Sequence, residues 1–400
     1  MRVALVGESD GALACLPIRD REFNGGMMDS NPIPWEADPH TKVKHDLYRR
    51  YFGKWFPIMM RGWGGDLTYA EGFSGPGVYA DGAPGSPIIA LNSIIGDPRL
   101  RTTARKMRFL FVDHNSRCTK LLRERLALAA EPVALQDLPG HGITVDVKTG
   151  DCVPALEDLL AAHSAWGRPM LVILDTWGAS VPLNLVRRVA ENPNSEVLIT
   201  IGPQYFSRFA GVDNIGHGDS VFGSSQWREV MNKPSGEKAT WLLQHYRDII
   251  EGVGFDHVLD FELIDTRGQS LYLVFGTTHK RGLEKMKEAM WEVDDVSGVG
   301  YRDPRDPGQQ TLEIQLEPNT SPLRRLLIEY LREQPHCRAS VNDLKSFALF
   351  RTVYKGSHVM PILREMVDHG DVIPDEPGHR LRYSGSVTLP ADQIRGGTTP

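Results

Sequence analysis

The segment YAEGFSGPGVYADGAPGSP, Tyr69–Pro87, joins a strand-like run to a glycine-rich turn and a helix start. The run Leu67–Ala70 is β-prone, and Pro87–Leu91 opens a helical pattern. An acid and three glycines stand together in the turn: Glu71, Gly72, Gly75 and Gly77. Glycine lets the backbone approach a bound group without a Cβ clash. The segment therefore predicts a ligand site at the end of a strand.

Strand-like runs alternate with amphipathic helical runs from this segment almost to residue 300. The first five strand-like runs lie at 67–71, 107–113, 142–147, 170–175 and 195–201. Such alternation predicts a parallel sheet with helices on both faces. Two later runs, 257–265 and 270–278, flank a short glycine-containing turn and predict an antiparallel hairpin. The fold class is therefore α/β, a Rossmann-like sheet with five parallel strands and a terminal antiparallel hairpin.

Acidic residues follow four successive strands of this predicted sheet. They are Glu71, Asp113, Asp151 and Asp175. In open α/β sheets the ligand lies beyond the carboxyl ends of the strands. A dinucleotide is disfavoured because the carboxylate of Glu71 would repel its pyrophosphate. A ligand with a cationic and a hydroxylated end suits the acids better, so we expect S-adenosylmethionine (SAM). Its contacts would be Glu71, Gly72, Gly75, Gly77, Asp113 and Asp151, in a sheet typical of class I methyltransferases.

Asp175 and Trp177 end the fourth strand and are the candidate catalytic residues. In methyltransferases that act on amino groups, a carboxylate at this position accepts the amine's protons and an aromatic ring stacks on the acceptor. The alternative is that Asp175 caps the following helix and Trp177 packs in the core. Methyl transfer would need no metal, only an in-line approach of the acceptor.

Several stretches resemble the three-Cys-motif partner (TcmP) family. The segment 69–91 resembles the family's D-x-F-A-G-P-G…G-S-P pattern, and KVKHDLYRRYFGKW, 42–55, resembles its upstream helix. The stretches at 171–190, 221–231 and 270–290 resemble three further motifs. The resemblance implies a methyltransferase-like protein that acts with a three-Cys-motif radical-SAM-like partner. Two departures are Glu71 in place of Asp and Thr176-Trp177 in place of Pro-Phe.

Two polar regions of this unit are predicted to be solvated. Lys42, Lys44 and His45 are interpreted as a charged face of a helix over 41–60, rather than as a ligand site. The polar segment 203–237 is too long for an ordinary connection and is predicted to be a functional insertion. It could form a lid over an acceptor cleft, but His217 and Asp219 within it are expected to be solvated loop residues.

The C-terminal part is predicted to be a winged-helix domain at 321–385, because three helix signals precede two short β runs. Residues 1–40 are expected to be irregular, 41–305 to form the methyltransferase-like domain, 303–310 to begin a linker, and 386–400 to be a flexible tail. Five basic residues could bind DNA or RNA: Lys355, His358 and Arg364 in a groove, and Arg380 and Arg382 at phosphates. A protein–protein module is the equal alternative, since bases barely outnumber acids there.

Composition limits the remaining function classes. The net charge of −6 argues against a surface coated for nucleic-acid binding. The four cysteines are far apart and predict neither a zinc site nor a disulfide framework. No apolar run is long enough to span a membrane, so we expect a cytoplasmic protein. Two hypotheses remain: a SAM-dependent methyltransferase acting on a nucleic-acid component, or a non-catalytic adaptor of the radical-SAM-like partner.

Overall fold

A computed structural model describes residues 32–97, 106–176, 181–210, 216–264, 268–302, 319–376 and 379–391. Most of the predicted N-terminal irregular segment, 1–40, lies outside the described residues. The predicted linker start at 303–310 and most of the predicted tail lie outside them as well.

The central sheet has eight strands in the order β3-β2-β1-β4-β5-β7-β6-β8. Their bounds are β1 Leu67–Glu71, β2 Met107–Asp113, β3 Ile143–Thr149, β4 Met170–Leu174, β5 Glu196–Ile201, β6 His257–Ile264, β7 Ser270–Thr277 and β8 Gly300–Arg302. Strands β1 to β5 pair in parallel, and β7 runs antiparallel between β5 and β6. The predicted fold class, an α/β Rossmann-like sheet with five parallel strands and a terminal antiparallel hairpin, is confirmed. The edge strand β8, which pairs in parallel with β6, was not predicted.

Helices cover both faces of the sheet. In chain order they are α1 Pro39–Gly62, α2 Ser86–Ile95, α3 Ser116–Ala130, α4 Cys152–Ala162, α5 Leu183–Ala190, α6 Pro203–Phe209, α7 Gly216–Phe222, α8 Lys238–Gly252 and α9 Lys280–Val293. Helices α1, α2, α3 and α9 bury one hydrophobic core against the sheet, and α4, α5, α8 and the insertion bury the other. Alternate residues of β1 serve the two cores, since Tyr69 packs in the first and Ala70 in the second.

The C-terminal unit contains three helices and a three-stranded antiparallel sheet. Its elements are α10 Ser321–Glu333, β9 Arg338–Ser340, α11 Val341–Arg351, α12 Gly356–Asp368, β10 Ile373–Pro374 and β11 Ser386–Thr388, with sheet order β10-β11-β9. A capping box formed by Ser340 and Asp343 begins α11, as the Ser340 signal indicates. The helices and the hairpin occur in the predicted order, and the winged-helix assignment itself stays a prediction.

The predicted boundary at residue 385 is wrong. Residues 386–388 are not part of a flexible tail, because β11 pairs with β9 on one side and β10 on the other. Val387 and Leu389 are buried in the core of the C-terminal unit. The short strand is therefore the centre of the small sheet.

Helix α9 joins the C-terminal unit to the rest of the chain. Trp291 of α9 belongs to the core of that unit, and its Nε1 donates to the Val353 carbonyl at 2.9 Å. The buried Lys287 ammonium donates to the Leu349 carbonyl at 2.6 Å and to those of Ala348, Thr352 and Tyr354. These contacts satisfy carbonyl groups at the end of α11, where helical acceptors have no partner in the helix.

Candidate functional site

A cleft opens at the carboxyl ends of β1 and β4. These strands are neighbours at the point where the strand order reverses, the position at which open α/β sheets bind ligands. The cleft is open to solvent, and its cavity volume is about 70 Å³. It is lined by the β1–α2 loop, the start of α1 and the end of β4, with these residues: Trp35, His40, Thr41, Lys44, His45, Phe73, Ser74, Gly75, Pro76, Gly77, Val78, Tyr79, Gly85, Ser86, Asp175, Thr176 and Leu271.

The β1–α2 loop needs glycine at two positions. Gly75 and Gly77 have φ values of +61° and +71°, which L side chains rarely adopt. A Cβ on Gly77 would lie 2.6 Å from Leu122, so packing alone requires that glycine. A Cβ on Gly75 would lie 3.5 Å from the ring of Trp35, which also lines the cleft. The missing side chain of Gly75 therefore keeps space open in the cleft.

A buried ion pair crosses the cleft between α1 and β4. The Lys44 ammonium contacts Asp175 Oδ2, and the exposed side-chain fractions are 9% and 14%. The prediction that Lys44 and His45 belong to a solvated face is wrong, since both are buried on the stripe with which α1 packs on the sheet. Lys42 does lie on the surface, where it pairs with Asp81 at 3.1 Å. Asp175 is thus the predicted catalytic residue that the structure places in the cleft.

Glu71 lies behind the cleft wall. The residue is 1% exposed, and its carboxyl group accepts hydrogen bonds from Tyr69 Oη and Ser86 Oγ, each at 2.7 Å. Burial raises the pKa of Glu71 to about 8; the two hydrogen bonds oppose this shift, and the charge of Asp175 adds to it. Ser86 lines the cleft and Glu71 does not, so the hydrogen bond from the Ser86 hydroxyl connects the Glu71 carboxyl group to the cleft.

Two rings of α1 stand beside these charges. The His45 ring lies 5.4 Å from the Tyr79 ring, and burial together with the Lys44 charge lowers the pKa of His45 to about 3. His45 is therefore neutral at physiological pH. The Tyr48 side chain is fully buried. Burial and the nearby charges of Asp175 and Glu71 keep the pKa of Tyr48 well above its usual value.

The other predicted cofactor contacts lie outside the cleft wall. Asp113 accepts hydrogen bonds from the backbone N–H groups of Gly75 at 2.8 Å and Asn115 at 2.9 Å, and so holds the loop in place. Asp151 is exposed at the start of α4. A Cβ on Gly72 would lie 2.5 Å from Cys152 Sγ, which explains that glycine by packing. The structure brings only Gly75 and Gly77 of the predicted cofactor residues to the cleft, and Trp177 lies outside the described residues.

The insertion 203–237 packs on α8 rather than over the cleft. Phe206, Phe222 and Trp227 are buried together in the second core. Asp219, predicted to be solvated, accepts a hydrogen bond from Trp227 Nε1 at 2.8 Å. The side chain of His217 lies outside the described residues. None of the insertion's described residues lines the cleft.

The predicted groove residues of the C-terminal unit face α9. The Lys355 ammonium lies 5.7 Å from the centre of the Trp291 ring, and the His358 ring lies 4.5 Å from it. Burial lowers the pKa of Lys355 and, with the Lys355 charge, lowers that of His358 to about 4. The structure therefore does not place these two side chains in an open groove.

The remaining charges of that unit have mixed signs. Arg364 is half-buried on α12, and the predicted phosphate contacts Arg380 and Arg382 are exposed. The exposed side of α12 also carries Glu365 and Asp368. Carboxylates on this helix would repel a phosphate backbone.

The described residues hold no cluster of side chains that could ligate a metal ion, and none of their helices is long and apolar enough to span a membrane.

No family model and no curated protein matches this sequence. Solved structures do match. A Legionella pneumophila protein of family-model DUF519 is 13% identical, with 60% of this chain and 85% of that chain covered and a TM-score of 0.36. Trm1 from Pyrococcus horikoshii, solved with S-adenosyl-L-methionine, is 11% identical, with 60% and 58% covered and a TM-score of 0.32. A putative O-methyltransferase from Klebsiella pneumoniae is 14% identical, with 61% and 91% covered and a TM-score of 0.29. Likenesses this low transfer no activity to this chain.

Proposed function

We propose that this chain binds SAM in the cleft and is a SAM-dependent methyltransferase. The observation that carries the proposal is the position of the cleft, at the point of strand reversal between β1 and β4, over a loop opened by Gly75 and Gly77.

The residues of the cleft fit the two ends of SAM. The loop at Gly75 offers backbone without a side chain. Asp113 lies behind this loop and holds it through backbone hydrogen bonds, and it remains a proposed contact to the ribose hydroxyls. Lys44 and Asp175 carry the two charges that would pair with the α-carboxylate and α-ammonium groups. Asp151 remains a proposed contact to the adenosine end.

SAM supplies an electrophilic methyl group on a sulfonium. The protein's own part is to hold an acceptor amine in line and to accept its hydrogen bonds. Asp175 supplies the acceptor oxygens at the end of β4, and Lys44 fixes the direction of its carboxylate. Trp177, two residues farther along, is the proposed stacking surface.

A non-catalytic adaptor is the second candidate function. The observation in its favour is that Glu71, Asp113 and Asp175 all have partners within the chain. Together with the resemblance to the TcmP family, this supports a methyltransferase-like chain that serves a three-Cys-motif radical-SAM-like protein. The C-terminal unit would then be a winged-helix interaction module, and the carboxylates on its α12 favour a protein over DNA or RNA as its partner.

Calorimetric titration with SAM tests the proposal. Gly75→Ala places a methyl group in the cleft at a residue whose φ is positive. Gly167→Ala is the matched control, because Gly167 also has a positive φ, +77°, but an added Cβ would meet open space there. Gly167 precedes β4, so it lies at the amino-terminal end of that strand, away from the cleft. We expect Gly75→Ala to weaken SAM binding at least tenfold and Gly167→Ala to leave it unchanged. Equal affinities in both variants would contradict the site.

Methylation assays then separate the two functions. RNA, DNA and the radical-SAM-like protein serve as acceptors for the wild-type chain and for Asp175→Asn. Turnover that falls in Asp175→Asn even at saturating SAM supports the enzyme, because the loss then lies in the transition state and not only in cofactor binding. SAM binding with no transfer to any acceptor supports the adaptor.

A further inference from the structure

The buried charges around the cleft do not balance when all of them are ionised. Two carboxyl groups, Glu71 and Asp175, lie together with a single ammonium group, that of Lys44. Lys44 contacts Asp175 directly. Glu71 receives hydrogen bonds only from hydroxyl groups, which carry no charge to offset its own.

The other titratable groups near Glu71 are neutral. They come from each element that packs around it: Tyr69 on β1, Tyr79 in the β1–α2 loop, and His45 and Tyr48 on α1. Burial raises the pKa values of the three tyrosines and lowers that of His45, so none of them carries charge at physiological pH. An ionised Glu71 would leave one negative charge buried without a partner, which is costly.

We propose that the cleft accepts a ligand with one compact positive charge, such as a sulfonium, and that Glu71 releases its proton to solvent when that charge binds. The inference deepens the proposed function and rests on it, since SAM carries such a sulfonium and its demethylated product, S-adenosylhomocysteine (SAH), does not. The Ser86 hydroxyl, which lines the cleft and donates to Glu71 Oε2 at 2.7 Å, connects the carboxyl group to the ligand space. Charge is conserved in the step: one cation enters and one proton leaves.

The affinity for SAM should then rise with pH, whereas the affinity for SAH should rise much less. With the pKa of Glu71 at about 8 in the free chain, roughly 1% of it is ionised at pH 6 and roughly half at pH 8. SAM affinity should therefore increase on the order of 10- to 50-fold over this range. SAH has the same α-amino and carboxylate groups as SAM, so it controls for their titration.

Calorimetry in two buffers of different ionisation enthalpy measures the released proton at pH 7. We expect SAM to release roughly 0.9 proton and SAH almost none. Glu71→Gln should abolish the difference. Glu196→Gln is the matched control, because Glu196 is also buried with a pKa raised to about 7 but bonds to Tyr51 and Thr277 at the opposite edge of the sheet.

Equal proton release with SAM and SAH would overturn the inference, and so would a difference that survives in Glu71→Gln. If Glu71→Gln fails to fold, the comparison of SAM with SAH on the wild-type chain decides. If SAM does not bind at all, the proposed function fails, and trimethylsulfonium serves as the probe of the charge inference. Its binding should release a proton in the wild-type chain, and either no binding or binding without release would overturn the inference.

Discussion

The ion pair between Lys44 and Asp175 is predicted to couple the effects of the two residues on the free energy of unfolding. Both side chains are mostly buried, with exposed fractions of 9% and 14%. Removing one partner of a buried pair leaves the other charge uncompensated, which costs about 3–5 kcal/mol for fully buried pairs. Since these two are not fully buried, we expect Lys44→Met and Asp175→Asn each to lower the free energy of unfolding by about 3 kcal/mol.

The double variant shows whether Lys44 and Asp175 stabilise the fold as an interacting pair or as two independent residues. Lys44→Met with Asp175→Asn leaves no uncompensated charge, so we expect a total loss smaller than that of either single variant, rather than about 6 kcal/mol. Urea unfolding followed by tryptophan fluorescence and far-UV circular dichroism measures these values, provided that the two transitions coincide. Lys42→Met with Asp81→Asn is the control on the same helix, since that pair is exposed and should show little or no coupling. Losses that add to about 6 kcal/mol, within about 0.5 kcal/mol, would show that the two residues act independently.

Two further predictions concern the C-terminal unit. A chain that ends after Gly385 should lose the cooperative melting of this unit, because β11 is the central strand and Val387 is fully buried. A chain that ends after Ala391 should keep it. Circular dichroism measures both melting curves, and identical curves would contradict the role of β11. Lys287→Met leaves buried carbonyl groups without a hydrogen-bond donor, which costs about 1–3 kcal/mol of local stability. We therefore expect amide hydrogen exchange in α11 to become faster by about tenfold or more. Lys285→Met, which removes only the i,i+3 pair with Glu288, should leave that exchange unchanged, and equal exchange in both variants would rule out the anchoring role of Lys287.

The sheet could be predicted because its buried strands are continuous apolar runs. The run at 107–113 has both faces covered, so no polar residue interrupts its pattern except Arg108, which pairs with Asp66. The strands β8 and β11 have only three residues each, too few for a period to be recognised. Their pairing is decided by distant partners, β6 and β9, that local pattern does not reveal.

The site could be predicted only in part. The glycine-rich loop could be predicted because positions with a positive φ are usually occupied by glycine, as at Gly75 and Gly77. Lys44 was misjudged because a charged residue on a helix is usually solvated, although its spacing of four residues from the buried Tyr48 indicates the packed stripe. Glu71 was expected to contact the ligand, yet it shares a strand face with Tyr69, two residues before it, and therefore points beneath α2.

Lys355 and His358 show a different limit of sequence reasoning. Their basic character suggested a nucleic-acid groove, but Trp291, more than 60 residues earlier in the chain, occupies the position that they face. A contact between units so distant in sequence leaves no local pattern. Whether Lys355 and His358 are open to a ligand depends on Trp291 of α9, which lies far away in the sequence.

A crystal structure of the chain grown with SAM tests the proposed cofactor site directly. We expect electron density for SAM in the cleft, with backbone contacts at Gly75 and the amino-acid end at Lys44 and Asp175. An empty cleft in crystals grown at saturating SAM, or SAM bound elsewhere on the chain, would show that the cleft is not the SAM site.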